Sequence, residues 1–272
     1  MKTKNRDNRS SRRALAVFAA LAVAAAAAIA LTLAFNKLHG LWIEQCEITD
    51  LGRQVEIQSG DRIKPDTVRD IFGLRNGANL ALIDFAAKRE EAMRKYPAIK
   101  SISVVRHLPD RVSITVTERD PFARIGITGT KKDTGRVCDD EGVVFNCRRG
   151  AETLPVIREP SSADIKPGTR LDDRSRQALN VLLVAREAAF ADLNILEIDT
   201  SKPDFLLITF ANYSEARFCW TGMEKPTPES AVAMKDQLTR LSQAIGTNLS
   251  GEVKTWNATV QGIVTSSNIR PN

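Results

Sequence analysis

Histidine is nearly absent from this sequence, which has two in 272 residues. His39 lies beside a long apolar stretch and His107 in a predicted turn, so a Ser-His-Asp triad has little to be built from. The sequence also lacks the HExxH, GxxxxGKS/T and CxxC patterns of zinc proteases, P-loop NTPases and thiol oxidoreductases. We therefore predict that the protein is not an enzyme and holds no cofactor and no metal.

One acidic cluster could be interpreted differently. Asp139, Asp140 and Glu141 could form a metal site or an acid–base pair. They precede Gly142 at the predicted tip of a β-hairpin, however, where such residues are typical of a solvated turn. A membrane-anchored envelope enzyme would need a polar pocket with convergent carboxylates, so it is the less favoured alternative.

Cysteine is also scarce, and the four cysteines have no metal-type spacing. Cys138 and Cys147 flank a predicted hairpin turn, in which 138 would pair near 143 and 147 near 134. The two would then lie about 13 Å apart at a rise of about 3.3 Å per residue, too far for a disulfide. Cys46 and Cys219 lie in strand-like runs, where buried free thiols are expected. The redox state of all four stays open.

The net positive charge is small outside the N-terminus. Six basic residues and one acid within the first 13 residues account for most of the formal net charge of +6. No basic stripe with interleaved aromatic residues remains to follow a nucleic-acid backbone, so nucleic-acid binding is not expected.

A single long apolar run, Ala14 to Phe35, contains no charged residue. As a helix rising about 1.5 Å per residue, it could cross a bilayer core of about 30 Å, with the basic N-terminus inside. A cleaved signal peptide, with Ala-x-Ala sites between Ala26 and Ala30, is one alternative, and Ser11-Arg12-Arg13 resembles a twin-arginine signal. The run exceeds a signal core of roughly 7 to 15 residues, which favours a retained anchor.

The segment after the apolar run predicts a small module of strands and helices. A strand is expected at Trp42 to Thr49 and an extended piece at Gln54 to Gln58. Two helices follow, one from Pro65 to Gly73 and one from Asp84 to Tyr96. In the first helix, proline suits the first turn and glycine suits the left-handed backbone conformation at the C-terminal end. The order is β, α, α, β, β, in which the sheet would cover the apolar faces of the helices.

Residues 95–121 predict the hairpin that completes this module. Arg106 to Asp110 contains a proline and is predicted to turn, and Pro121 ends the second strand. The strands are indicated by period-two alternation of apolar residues, namely Ile102 and Val104 in the first and Val112, Ile114 and Val116 in the second.

These features together resemble a known family. A short basic N-terminus and one apolar span precede "GLRNGANLALID" and "YPAIKSISVVRHLPDRVSITVTERDPFARIG", with "DDEGVVF" and "LPVI" later. The combination is similar to the bacterial division proteins of the FtsQ (DivIB) family, whose extracytoplasmic part begins with a POTRA domain. Two departures, Tyr96-Pro97-Ala98-Ile99 for Leu-Pro-x-Val and His107-Leu108 for an aromatic residue before the proline, leave the pattern of buried positions unchanged.

The second half predicts a larger β domain. Strands are expected at 122–127, 137–138, 143–147, 195–199, 205–210, 215–220, 253–260 and 263–265, with helices at Asp172 to Phe190 and from Thr227 to Gly246. The fold class is therefore α+β, with an N-terminal transmembrane helix, a POTRA domain and a mixed, mainly antiparallel β domain with helices on one face. The expected parts are a cytoplasmic tail (1–13), the span (14–35), the POTRA domain (41–120), the β domain (121–265) and a tail (266–272).

The resemblance implies a non-enzymatic scaffold of the divisome in the inner membrane at the septum, with the C-terminal domains outside and FtsB and FtsL as partners. Such proteins bind FtsB through the final strands of the β domain. The matching stretch runs from Trp256 to Ser267, with Gly262 aligned to a strand glycine. The expected contacts are Trp256, Val260, Gln261, Gly262, Ile263, Val264 and Thr265.

Three features of this stretch bear on the prediction. A strand near the chain end has no later element obliged to cover it, so it can template an added strand. Val260, Gly262 and Val264 would share one face, with Gln261, Ile263 and Thr265 on the other. Asn257-Ala258-Thr259 departs from the Asp-aliphatic-Arg triplet of the family, so the side-chain contacts with the partner could differ.

Two alternatives stay open. One is an edge covered by residues 268–272 of the same chain. The other is a POTRA adaptor of envelope protein assembly or secretion, for which tandem POTRA repeats or a following barrel would be expected.

Overall fold

A computed structural model of the chain describes residues 7–130, 133–147, 149–160, 165–247 and 254–268. The chain divides into two compact units. The first comprises Met1–Arg89 with Ile102–Val116, and the second comprises Glu90–Ser101 with Thr117–Asn272.

The first unit begins with a long helix, α1 (Asp7–Glu44). Within it, Val23–Glu44 is long and apolar enough to cross a membrane. The predicted strand at Trp42 to Thr49 is wrong, because α1 continues to Glu44 and Glu47 makes an isolated bridge to Asn79. No proline interrupts the chain between residues 36 and 45, so nothing stops the helix where the strand was expected.

The predicted α/β module follows α1 in the chain. Its helices are α2 (Leu51–Gln54), α3 (Pro65–Phe72) and α4 (Phe85–Lys95), and its strands are β1 (Val55–Gln58), β2 (Ile99–His107) and β3 (Arg111–Glu118). Pro65 opens α3, and Gly73 ends it with φ of 69°, as predicted. Asp84 accepts a hydrogen bond of 3.0 Å from the backbone N–H of Ala87 at the start of α4.

The three strands form a sheet in the order β1-β3-β2. The alternation predicted for β3 is confirmed, because Val112, Ile114 and Val116 are all buried. The sequence did not predict that β1 runs parallel to β3, with Val55 opposite Val112. This pairing places the apolar residues of both strands on the core side of the sheet.

The second unit is built on a nine-stranded sheet. Its strands are β4 (Ala123–Ile127), β5 (Asp133–Cys138), β6 (Val144–Asn146), β7 (Val156–Glu159), β8 (Ile195–Asp199), β9 (Leu206–Phe210), β10 (Glu215–Phe218), β11 (Lys254–Val260) and β12 (Ile263–Asn268). Its helices are α5 (Asp173–Ala185), a 3₁₀ helix (Ala188–Leu193) and α6 (Pro228–Gly246). The predicted start of β11 at Val253 lies outside the described residues.

The order of strands across this sheet is β12-β11-β10-β9-β8-β7-β4-β5-β6. The pairs β4–β7, β7–β8 and β10–β11 are parallel, and the other pairs are antiparallel. The predicted mixed, mainly antiparallel sheet is therefore confirmed. Helices α5 and α6 pack on the sheet and share one apolar core with it, which includes Leu179, Leu182, Leu238, Leu241 and Trp256.

The helix predicted from Asp172 to Phe190 is shorter than expected. Asp172 caps α5, as the sequence indicates, but the α-helix ends at Ala185. Arg186 lies 3.9 Å from the ring centre of Phe122, and Glu187 has extended backbone, so the chain restarts as the 3₁₀ helix. This second segment still buries Phe190.

The hairpin of β5 and β6 differs from the prediction in one detail. Cys138 pairs with Val144 rather than with residue 143, and the backbone N–H of Cys147 donates to the carbonyl of Gly135. Cys46, Cys138, Cys147 and Cys219 are all free thiols. Burial raises the pKa of the Cys138 thiol to about 12, so this side chain stays protonated and unreactive at neutral pH.

The turn at Asp139 is not simply solvated, because its carboxylate is buried. Asp139 accepts hydrogen bonds from the backbone N–H groups of Glu141 and Val143, at 3.1 and 2.7 Å. Its other oxygen forms an ion pair of 2.5 Å with Arg119. Asp139 therefore holds the turn together from inside.

Candidate partner-binding edge

The final strand, β12, lies at one end of the nine-stranded sheet. It pairs with β11 on one side, with Trp256 opposite Ser266 and Asn257 opposite Thr265. In the described part of the chain, no strand pairs with its other side. A strand in this position exposes a row of unpaired backbone donors and acceptors, to which an extended peptide can bind.

A tight turn joins β11 and β12. The strands end and begin at Val260 and Ile263, which pair, so Gln261 and Gly262 form the turn. Gly262 has φ of 81°, a conformation that glycine adopts without steric cost. The expectation that Gly262 shares a strand face with Val260 and Val264 is therefore wrong.

A buried glutamine on α6 holds this turn. The side chain of Gln237 is fully buried. Its Nε2 donates to the carbonyls of Ala258 and Val260, both at 3.0 Å, and to that of Ile263 at 3.3 Å. Its Oε1 accepts from the N–H of Gly262 at 2.8 Å. One side chain thus satisfies four backbone groups where the ladder between the strands is irregular.

The turn residue Gln261 is also engaged within the chain. Its Nε2 donates to the carbonyl of Ala233 at 3.1 Å, and its Oε1 accepts from the N–H of Thr221 at 3.2 Å. The turn is thereby attached to α6 and to the segment after β10. These contacts hold the start of β12 in a fixed position.

The inner face of the last strands is apolar. Trp256 and Ala258 are buried, and Val264 is half-buried against the same core. Val260 and Ile263, on either side of the turn, are more than half exposed, at 57% and 55%. An added strand would therefore find apolar side chains beside the edge, near the turn.

The outer face of the same strands is polar. Arg217, Asn257 and Thr265 lie side by side across β10, β11 and β12, and Glu215, Thr255 and Ser267 form a second such row. A cleft of about 340 Å³ lies over these rows, lined by Arg217, Thr255, Asn257, Thr265, Ser266 and Ser267. The Arg217 guanidinium lies 5.6 Å from the ring centre of Phe205.

The predicted contact residues are thus close together but differ in position. Trp256 lies in the core, Gln261 and Gly262 form the turn, and Val260, Ile263, Val264 and Thr265 flank the edge. Sequence reasoning missed Gln237 and Arg217. The available signal for Gln237 was its spacing, because a polar residue three after Met234 and four before Leu241 falls on the buried face of α6.

Chemical groups suited to catalysis are not gathered at this edge. Arg217 and Glu215 are the charged side chains of the polar rows, which otherwise consist of Asn, Thr and Ser residues. Within the described residues, no group of three His, Cys, Asp or Glu side chains could hold a metal ion. The arrangement is suited to binding a polypeptide.

Comparison with known protein families gives a match over the α/β module. Residues 52–119 match the family described as "POTRA domain, FtsQ-type". This match confirms the resemblance to the FtsQ family inferred from the sequence and shows that the chain contains a POTRA domain of that type.

Several curated relatives carry the name "Cell division protein FtsQ". The one from Neisseria meningitidis serogroup B is 32% identical over 112 residues, which are 40% of this chain and 45% of the relative. Those from Corynebacterium glutamicum and Streptomyces collinus are 32% identical over 88 residues and 31% over 110. These cover 32% and 40% of this chain, and 37% and 40% of the respective relatives. The chain matches less than half the length of each relative.

Proposed function

Because an FtsQ-type POTRA domain follows a helix able to span a membrane, we propose that this chain is a membrane-anchored, non-enzymatic scaffold of bacterial cell division. The combination of anchor and POTRA domain carries the proposal. The basic N-terminal residues would stay in the cytoplasm, and the POTRA domain and the β domain would lie outside the inner membrane, at the division septum.

The scaffold would act through protein–protein contacts that link early and late division proteins. We propose that its partners are proteins like FtsB and FtsL. The open edge of β12 supports this proposal, because its backbone groups are available for pairing while Gln237 fixes the turn beside them.

The polar and apolar faces of the sheet at this edge indicate which side chains a partner's strand would carry. Side chains alternate between the faces of an added strand, so one set would extend the polar rows that end at Thr265 and Ser267. The other set would pack beside Val264 on the apolar side. A partner segment of alternating polar and apolar residues fits both faces.

The division role can be tested in cells. A fluorescent fusion to the full-length chain is expected to gather at the septum, and depletion of the chain is expected to produce filaments that fail to divide. A fusion evenly spread over the envelope, with normal division after depletion, would contradict the proposal.

Strand addition can be tested at Ser266. Val260 and Ile263 are the first and last residues of the four-residue turn. In such turns the N–H of the last residue commonly donates to the carbonyl of the first, so the N–H of Ile263 faces β11. By alternation, the N–H groups of Val264 and Ser266 face away from β11. Ser266→Pro removes one of these outward donors, and Ser266→Ala removes only the hydroxyl.

We expect Ser266→Pro to weaken binding of an FtsB-like partner at least tenfold, and Ser266→Ala to leave it nearly unchanged. Affinity would be measured by calorimetry with the purified chain, and circular dichroism would check that both variants are folded. A folded proline variant with unchanged affinity would reject strand addition at β12.

A further inference from the structure

A groove separates α5 from α6 in the second unit. It has a volume of about 520 Å³, within the range of roughly 300 to 1,000 Å³ that is typical of ligand sites. Its walls come from α5, from the first two turns of α6 and from the segment 220–227 that precedes α6. None of its lining residues belongs to β11 or β12. We call this feature the α5–α6 groove.

The floor of the groove is apolar and well fixed. Trp220, Met223 and Met234 are buried beneath it, and Leu183 and Val184 form the α5 wall. The indole N–H of Trp220 donates to Ser230 Oγ at 3.0 Å, so the indole is held in place. Methionine side chains adapt to different apolar partners, which suits a binding surface.

Hydrogen bonds from α5 hold the groove open at one end. Gln177 Nε2 donates to the carbonyl of Met223 at 2.7 Å, and Arg174 contacts Met223 Sδ at 3.6 Å. Lys235, the residue after Met234, and Glu187, three residues after Val184, form an ion pair of 2.6 Å that joins α6 to the segment after α5. The walls are therefore in place before anything binds.

Two polar groups at the rim have unmet binding capacity. The half-buried amide of Asn180 has no hydrogen-bond partner among the described residues. Glu224 is exposed and forms no ion pair in the described part of the chain. An occupant with a polar group near Asn180 and a positive charge near Glu224 would satisfy both.

We propose that the α5–α6 groove binds an amphipathic helix of a partner protein. Its apolar side chains, spaced three and four residues apart, would fill the floor, and a Lys or Arg beside them would meet Glu224. The geometry favours a helix over an extended peptide. The walls are helices and a connecting segment, with no open strand edge, so only a segment that satisfies its own backbone groups can lie on the apolar floor.

Photo-crosslinking tests the proposal with the full-length chain in its own cells. A photoreactive amino acid at the exposed rim position 176 would label whatever lies in the groove. Mass spectrometry would then map the labelled segment of the partner. Ala231→Glu introduces a charged side chain at the groove wall, and Val232→Glu makes the same change at the next residue, which is 70% exposed and not part of the lining.

We expect the labelled segment to have a helical apolar stripe with an adjacent Lys or Arg. A synthetic peptide of that segment is expected to bind the purified chain at least tenfold more weakly after Ala231→Glu, with little change after Val232→Glu. Glu224→Lys should weaken it several-fold and more strongly at low salt. Ser266→Pro should leave this binding unchanged, so the groove and the β12 edge are tested separately.

Other outcomes would overturn the proposal. They are the absence of a protein adduct, an adduct with lipid, a labelled segment without an apolar stripe, and equal binding to Ala231→Glu and Val232→Glu. Both glutamate variants change exposed positions near the start of α6, so both are expected to fold, and equal urea midpoints would check this. If Ala231→Glu nevertheless unfolded, unchanged peptide binding to Glu224→Lys would still contradict the proposed charge contact.

Discussion

Gln237 Oε1 on helix α6 accepts a hydrogen bond of 2.8 Å from the backbone N–H of Gly262, in the turn between the last two strands. The same side chain donates to carbonyls of β11 and to that of Ile263. The proposed partner-binding edge therefore depends on a buried amide that the partner does not touch.

Gln237→Ala is expected to destabilise the second unit and to weaken partner binding. The change leaves buried backbone groups without a partner, at about 1 to 3 kcal/mol for each such group. Thermal unfolding would measure the loss of stability, and calorimetry the loss of affinity for an FtsB-like partner. Gln243→Ala, at an exposed position of the same helix, is the matched control and should change neither. Equal effects of the two variants would show that the amide does not hold the turn.

Glu159 should make the stability of the second unit depend on pH. It ends β7 and is 2% exposed. Burial, aided by the charge of Asp172, raises the pKa of Glu159 from 4.5 to about 7. The folded chain therefore holds a proton between these pH values that the unfolded chain has lost, so the contribution of Glu159 to stability is most favourable below about pH 4.5, falls as pH rises to about 7 and changes little at higher pH.

Glu159→Gln should remove this dependence, because the amide is neutral at every pH. Relative to the natural chain, the variant is expected to gain up to about 3 kcal/mol between pH 5 and pH 8. Urea denaturation at the two pH values would measure the difference. Glu152→Gln, at an exposed acid, should show no such gain. An equal difference between Glu159→Gln and the natural chain at both pH values would contradict the prediction.

Local patterns predicted the elements of both units better than their arrangement. The alternation of Val112, Ile114 and Val116 specified a buried strand face, and Pro65 and Gly73 marked the ends of a helix. Each of these signals depends on neighbours a few residues away. The parallel pairing of β10 with β11 joins segments separated by the whole of α6, and no local pattern encodes which distant strands meet.

The candidate site was predictable in part for the same reason. The sequence placed the edge near residues 256–267 through its likeness to a family and its position near the chain end. The predicted strand bounds, 253–260 and 263–265, left residues 261–262 between the strands, where the turn lies. The likeness to the family nevertheless placed Gly262 in a strand, because alternation does not reveal a two-residue turn without a marker such as Asn-Gly. Arg217 joins the outer face only through pairing across three strands.

The mature chain is expected to retain its N-terminal helix. Residues 14–35 lie in α1, and Val23–Glu44 is apolar enough to cross a bilayer, so neither high salt nor alkaline washing should release the protein from membranes. N-terminal sequencing of the protein from cells would identify the first residue. A chain starting at residue 45 serves as the control and should be washed off. A mature N-terminus after Ala28 or Ala30 would instead indicate a cleaved signal peptide.

Asp139→Ala should destabilise the second unit by about 3 kcal/mol. Breaking a buried ion pair commonly costs about 3 to 5 kcal/mol, and the low end is expected here because Glu141, 3.3 Å from Arg119, still pairs with it. The substitution also removes the acceptor for the N–H groups of Glu141 and Val143. The adjacent Asp140→Ala is the control. Asp140 is 58% exposed, and its pair with Lys100 is 3.7 Å long, so its loss should cost at most about 1 kcal/mol. Urea denaturation of both variants at pH 7 would measure the two costs. If the costs were equal, the buried position of Asp139 would contribute nothing, and the turn would behave as the solvated loop that the sequence alone predicts.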